Sequence, residues 1–595
     1  MPATPNRPRR SSRAATVLLA CLLSACASLS PQPLAETSGW SLHGQNLAGQ
    51  RHAPQTQITP DNVGQLELKW AWSSGITATY QTTPVVVDGV MYVSLPGSHV
   101  AAIDARRGTE LWRHRHVPRG GKLCCGPANR GVAVEGDTVY VGTVDGRLIA
   151  LDRASGALRW DVTVADYAGA KEATGQLDRE DALSKVGATG ETGVGIGAAP
   201  IVHQGRVFIG INGVGYGLHP DQGLAVVGVA GRYGRPGLMA AFDARSGQRL
   251  WQFDITGPGW EGDYRPTTPD GLPLNRDLAA ERAAAPAARE SWRYGGGSIY
   301  ASPVIDEAQG MLIFGTGNPS PQMADSSRPG DNRHTSSLVA LELATGRLRW
   351  AHQQIPHDRW GYDVASPPVL VEARGPQGER IPALAQASKL GWVYVHDRRD
   401  GRPLLRSEAF VPQRNLFTPP QPGEGVVVAP GIAGGANWSP SSWDPVRELF
   451  FVGALHLPTR YTAHTVQRPD GSVLRYASAQ DTPERGGTLS AIDLGAGGRL
   501  RWQLKTAEPL IGGVLSTASG LLFSGIGGGE FAAFDSRDGR KLWSHRATAG
   551  VNAPPVSFML DGRQHIAVAA GGNALFGLAQ GDVLLVFALP ETASR

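Results

Sequence analysis

The chain has 595 residues, 41% of them hydrophobic and 18% charged, with 77 glycines, 43 prolines and a formal net charge of +4. So much glycine and proline at low charge speaks against helical bundles and for many short strands joined by tight turns. The small net charge, with basic residues scattered rather than striped, leaves no basis for a nucleic-acid-binding surface.

The first 30 residues read as a targeting segment. Arg7, Arg9, Arg10 and Arg13 form a basic region, and the apolar stretch AATVLLACLLSA is too short to span a bilayer. Leu23-Ser24-Ala25-Cys26 reads as a bacterial lipobox, with residues 1–26 as signal peptide, Cys26 lipidated after cleavage and 27–37 as linker. Ala27 and Ser28 carry no acidic retention signal, so the expected location is the periplasm, lipid-anchored to the outer membrane. The alternative is an ordinary cleaved signal with an incidental cysteine. Arg9-Arg10 fits a twin-arginine signal poorly.

Residues 38–590 carry seven copies of one pattern: an acid, a glycine turn and a large apolar residue. They are AIDARRGTELW (Asp104, Trp112), ALDRASGALRW (Asp152, Trp160), AFDARSGQRLW (Asp243, Trp251), ALELATGRLRW (Glu342, Trp350), VHDRRDGRPLL (Asp397, Leu405), AIDLGAGGRLRW (Asp493, Trp502) and AFDSRDGRKLW (Asp535, Trp543). The apolar run before each acid is a strand, the acid accepts backbone N–H bonds in the turn, and glycine supplies a positive φ. The tryptophan that ends the return strand needs a neighbouring sheet to cover it. Such units stack into a β-propeller or a β-solenoid. Acid-to-acid spacings of 48, 91, 99, 55, 96 and 42 leave three long gaps. Stretches 166–194 and 257–295 read as insertions, and NWSPSSWDPVRELFFVGAL, between Asp397 and Asp493, reads as an untagged eighth unit.

Two cysteines remain once the leader is removed, the adjacent Cys124 and Cys125. They are either two buried thiols or a strained disulfide, since neighbouring α-carbons lie closer than the usual disulfide range. Strain of that kind belongs at a site.

From GGKLCCGPANRG onward the chain resembles the bacterial quinoprotein alcohol dehydrogenases, which use pyrroloquinoline quinone (PQQ) in an eight-bladed all-β propeller. The likeness runs through GGGSIYASPVIDEAQGMLIFGTGNPSP, GDNRHTSSLVALELATGRLRW, HDRWGYDVASPP, SKLGWVYVHDRRDG, GGANWSPSS and GGVLSTASGLLFSG, in that order. It implies that a Cys124–Cys125 disulfide covers one face of the quinone and Tyr300, where the family usually has tryptophan, covers the other. It further implies that Arg130 pairs with a cofactor carboxylate, that Gln81 and Asn437 are polar cofactor contacts, and that Lys389 holds the quinone oxygens and stabilises negative charge on them.

The catalytic part matches less well. Asn318 corresponds to a metal-ligand asparagine, but the metal-ligand glutamate falls on Gly215 and the catalytic aspartate on Gly361, in Trp360-Gly361-Tyr362-Asp363. Further family contacts fall on Gly197, Asn212 and Ile511. Calcium, or a lanthanide as in some relatives, is thus left with an incomplete set of carboxylates. Asp363 reads as substitute base, as metal ligand or as a surface turn carboxylate; His357 and Asp358 read as acid–base candidates or as structural residues. On this reading Gly361→Asp restores a base.

Two functions follow as expectations. One is a PQQ-dependent dehydrogenase acting on an alcohol, sugar or polyol. Its electrons would go to a separate acceptor such as a cytochrome c or a membrane quinone, since the chain has no Cys-x-x-Cys-His haem site. The other is a non-catalytic propeller lipoprotein, a scaffold or binding module similar to the outer-membrane barrel-assembly propellers.

Overall fold

Each tagged apolar run forms a strand buried on both faces, because sheets cover it from either side. Arg147–Asp152 is buried along almost its whole length, whereas its outer neighbour Leu158–Thr163 alternates between exposed and half-buried residues. The computed structural model describes residues 39–118, 127–165, 194–212, 236–375, 377–467, 471 and 473–591. The leader and linker, Cys124, Cys125, Gly215 and the insertion at 166–193 lie outside the described residues. Among the described residues, eight sheets of four or five strands carry the fold. It is an all-β propeller.

The repeat pattern has a structural cause. Asp152 Oδ1 accepts the N–H groups of Ala154 and Ser155 at 3.1 and 2.9 Å, closing the turn. Gly156 then sits at φ +72°, and a Cβ there would lie 2.4 Å from the ring of Trp112, which belongs to the preceding sheet. The Trp112 Nε1–H donates to Arg153 O at 3.0 Å. The same two contacts join Trp160 to Gly247 and Ala244 O, Trp251 to Gly346 and Leu343 O, Trp350 to Gly401 and Arg398 O, and Trp502 to Gly539 and Ser536 O. Each indole thus docks on the next sheet's turn, adding one hydrogen bond of about 0.5–1.5 kcal/mol to the burial of its ring.

The series begins with Trp70, which covers Gly108 and donates to Ala105 O, and returns with Trp543, which donates to Leu66 O. Leu66 precedes the strand Glu67–Ala78, and that strand pairs antiparallel with Gly581–Ala588. The first long strand of the chain therefore forms the outer edge of a sheet whose other three strands are the last three.

The stretch expected to be an untagged eighth unit is not one. Its strands Ser442–Asp444 and Leu449–His456 pair onward with Gly486–Asp493 and Arg499–Thr506, so they are the inner half of the sheet tagged by Asp493. The long spacing comes from an inserted hairpin, Thr459–Gln467 with Val473–Asp481, joined by Val426–Val428. The untagged sheet is the closing one. Its outer strand comes from the other end of the chain, so it has no hairpin turn there and needs neither acid nor glycine. The 257–295 stretch is an insertion as expected, with a helix, Leu278–Ala284, capped by Asp277.

Candidate active site

Gln81, Arg130, Tyr300, Asp363 and Asn437 lie in segments leading into the first strand of a sheet, while Asn318 and Lys389 lie between second and third strands. In an antiparallel sheet both kinds of connection leave at the same end. The topology therefore gathers all seven residues at one end of the sheets.

At the centre of this group Lys389 and Asp363, both buried, form an ion pair of 2.6 Å between Nζ and Oδ2. The ammonium also donates to Gly361 O at 2.8 Å and to Ile432 O at 3.0 Å, so its three donors are all engaged. Gly434 packs against the lysine stem, and a Cβ there would lie 2.3 Å from Lys389 Cγ. The other carboxylate oxygen, Asp363 Oδ1, accepts the Asn318 backbone N–H at 2.6 Å, while the Asn318 side-chain amide donates to Pro319 O at 3.0 Å. Asp363 is therefore no surface turn carboxylate.

A second group adjoins the first through Tyr300, whose ring edge and Asp363 Oδ1 both lie close to Gly317. Arg130 donates to Tyr300 O at 3.0 Å, and its guanidinium lies 4.5 Å from the centre of the Trp438 ring. Gly197 leaves the room this needs, because a Cβ there would lie 3.1 Å from Arg130 and 3.2 Å from the Asn212 amide. Tyr300, Trp438 and Ile511 share one apolar cluster with Ala365 and Ala433. Asn437 donates to Ala433 O and accepts the Trp438 backbone N–H. Gln81 is linked to Arg130 through the adjacent backbone, where Thr83 N–H donates to Arg130 O.

Gly361 leaves no room for a base while Gln322 stands where it does. It sits at φ +86°, and a Cβ would lie 2.1 Å from Gln322 Nε2 and 2.9 Å from Ile432 Cγ1. The buried Gln322 amide stands in the volume into which a side chain at 361 would project, so Gly361→Asp restores a base only where Gln322 moves aside. Asp358 accepts the N–H groups of Trp360 and Gly361 and the Ser336 hydroxyl, and thereby shapes the loop. Burial, opposed by the Trp360 N–H and reinforced by the Asp363 charge, raises its carboxyl above the ordinary range. His357 is buried between Gly330 O and Asp325, and burial lowers its imidazole. Both serve structure.

Trp438 and Gln322 were not singled out from the sequence. Trp438 stands inside the motif GGANW, so its signal was present; Gln322 follows GTGNPSP with none.

A propeller whose sheets present a buried lysine–aspartate pair, an arginine stacked on tryptophan and several polar side chains at one end defines a cofactor-binding class. The sequence profile of the glucose/ethanol/alcohol dehydrogenase β-propeller domain, the PQQ family, matches residues 40–416 and 485–566. The chain is 32% identical to quinohemoprotein alcohol dehydrogenase ADH IIB of Pseudomonas putida, over 93% of this chain and 78% of that one. It is 30% identical to the 1-butanol dehydrogenase (quinone) of Thauera butanivorans, over 93% and 92%. Among solved structures, the quinohemoprotein alcohol dehydrogenase of Comamonas testosteroni superposes with a TM-score of 0.73 at 29% identity, covering 94% of this chain and 82% of that one. The chain belongs to the PQQ-dependent alcohol dehydrogenase family and is an alcohol oxidoreductase by that membership.

The described residues fit a planar, anionic quinone. Arg130 and Lys389 supply cationic groups, Tyr300 and Trp438 supply rings, and the buried Gln81 Oε1, Ser298 Oγ and Ser439 Oγ have no hydrogen-bond partner among the described residues. Polar atoms buried in that state call for a ligand or water. For a hard metal ion they offer an incomplete set of ligands, as the sequence led one to expect. Calcium seeks six to eight oxygens. The only carboxylate among the matched positions is Asp363, already neutralised by Lys389, and no group of three metal-ligating side chains occurs among the described residues.

Proposed function

We propose that this chain is a PQQ-dependent dehydrogenase that oxidises the hydroxyl of an alcohol, sugar or polyol and passes the electrons to a separate acceptor, a cytochrome c or a membrane quinone. The observation that carries this reading is the buried Lys389–Asp363 pair beside the Arg130–Trp438 stack, at the end of the propeller where polar atoms lack partners. A scaffold has no need of either.

When bound, PQQ supplies a hydride-accepting carbonyl. Arg130 is positioned for a cofactor carboxylate, with Trp438 holding its guanidinium plane. Tyr300 offers an aromatic surface, and Gln81 and Asn437 offer amides. Asp363 is the one carboxylate at the centre of the group, and we assign it the hydroxyl proton; Lys389 holds its Oδ2 at 2.6 Å. The Asn318 N–H holds its other oxygen in place. Cys124 and Cys125 are proposed to form the disulfide that covers the second quinone face. The leader supports export to the periplasm, with a lipid anchor at Cys26 in the outer membrane.

The test is titration of purified protein with PQQ, followed by absorbance, and then dye reduction with a panel of primary alcohols, secondary alcohols and polyols. One equivalent of quinone should bind, and Asp363→Asn should lower the rate by about 10²–10⁴ while leaving the quinone bound. Absence of binding, or full activity in Asp363→Asn, refutes the reading.

A further inference from the structure

A quinone that accepts a hydride needs positive charge beside its oxygens, and a dication is one way to provide it. In this chain the position is already taken. Lys389 reaches Asp363 Oδ2, Gly361 O and Ile432 O at 2.6, 2.8 and 3.0 Å, which places a fixed ammonium among three oxygens beside the one matched carboxylate. Of the remaining oxygens, Asp363 Oδ1 accepts the Asn318 backbone N–H, and the Asn318 side chain, anchored through its N–H group on Pro319 O, offers only one neutral amide oxygen. A dication drawn to Asp363 would stand a few ångströms from the ammonium and be repelled by it. Among the described residues the neighbouring carboxylate is Asp358, whose oxygens are held by the Trp360 and Gly361 N–H groups and the Ser336 hydroxyl, and the matched positions 215 and 361 are both glycine.

We infer that this chain binds its quinone without a metal ion, the Lys389 ammonium serving as the resident cation of the site. The inference rests on the PQQ reading above. It makes Asp363 the counter-ion of Lys389, so removing the lysine should create an uncompensated carboxylate that attracts a cation from solution.

The experiment uses the full-length protein, stripped with EDTA and desalted into metal-depleted buffer, with residual metal measured by plasma mass spectrometry. PQQ is titrated into three samples: metal-free, with calcium chloride, and with lanthanum chloride. Binding is read from tryptophan fluorescence and quinone absorbance. The expected result is the same dissociation constant in all three, with no metal retained in proportion to quinone. In Lys389→Met, metal-free binding should weaken about 10- to 100-fold, the value of one charge-assisted hydrogen bond that the ammonium makes to the quinone in exchange for a backbone carbonyl, and calcium should restore it. Wild-type binding that requires calcium or lanthanum overturns the inference and leaves the proposed function standing. Binding under no condition overturns both. If Lys389→Met does not fold, as judged by circular dichroism, the wild-type titrations decide the matter alone; if it folds and binds metal-free quinone unchanged, Lys389 is not the resident cation.

Discussion

Giving Gly361 a side chain should destabilise the protein rather than activate it. Two costs add there. The backbone at φ +86° is in the region that L-residues avoid, which costs about 1–2 kcal/mol. The new Cβ would also sit 2.1 Å from Gln322 Nε2 and 2.9 Å from Ile432 Cγ1, and overpacking of that kind costs typically about 1–3 kcal/mol. Gly361→Ala should therefore lose about 2–5 kcal/mol in guanidinium denaturation followed by tryptophan fluorescence, read from the midpoint at constant slope. Trimming the obstacle separates the two costs. Against a Gln322→Ala background most of the steric part should go, leaving the backbone loss of about 1–2 kcal/mol and the close approach to Ile432. For the same reason Gly361→Asp should gain no dye-reducing activity unless Gln322 is shortened as well. A Gly361→Ala protein as stable as its parent, or an equal loss with and without Gln322, would refute the geometry of this loop.

Gly156→Ala should destabilise by more than Trp112→Phe, because the first drives a Cβ to 2.4 Å from the indole at φ +72°, whereas the second mainly removes the bond to Arg153 O, worth about 0.5–1.5 kcal/mol; equal losses by chemical denaturation would count against tryptophan docking. Arg130→Ala should weaken quinone binding by roughly 2–5 kcal/mol in the same titration, and unchanged affinity would remove Arg130 from the site. Burial lowers His352 to about 4 and holds its ring neighbour His396 well below 6.5. Because the folded state disfavours the protonated rings, their contribution is full above pH 6.5 and declines as the pH falls through about 4. Denaturation midpoints should drop across that window, and His352→Gln should flatten the drop; an unchanged slope would mean the imidazole is not buried in solution.

Much of the fold could be read from the residues because its recurring signal is local, although each indole docks on the turn of the next sheet. Acid, glycine and tryptophan lie within a dozen positions of one another, and the turn that joins them is chemically demanding at every repeat. The closing sheet was illegible for the opposite reason: Glu67–Ala78 and Gly581–Ala588 find each other across the whole chain, with no turn to mark the pairing. The same division holds at the site. Lys389, Arg130, Tyr300 and Asp363 stand in long ordered motifs, and the structure brings them together. That Gln322 fills the space at Gly361 depends on a left-handed backbone and a side chain 39 positions away, neither of which spacing can express.

The pairing of the first long strand with the last has a consequence for how the molecule comes into being. A strand that waits for a partner some 500 residues downstream is an unpaired edge for as long as synthesis and export take, and such edges invite association with other chains. The twelve residues of Glu67–Ala78 blunt that hazard by their own composition: Glu67 and Lys69 charge one end, and Gly75 at φ +73° interrupts the pairing register before Ala78. The seam that completes the ring thus carries its own obstacles to templating a wrong neighbour while it stands open.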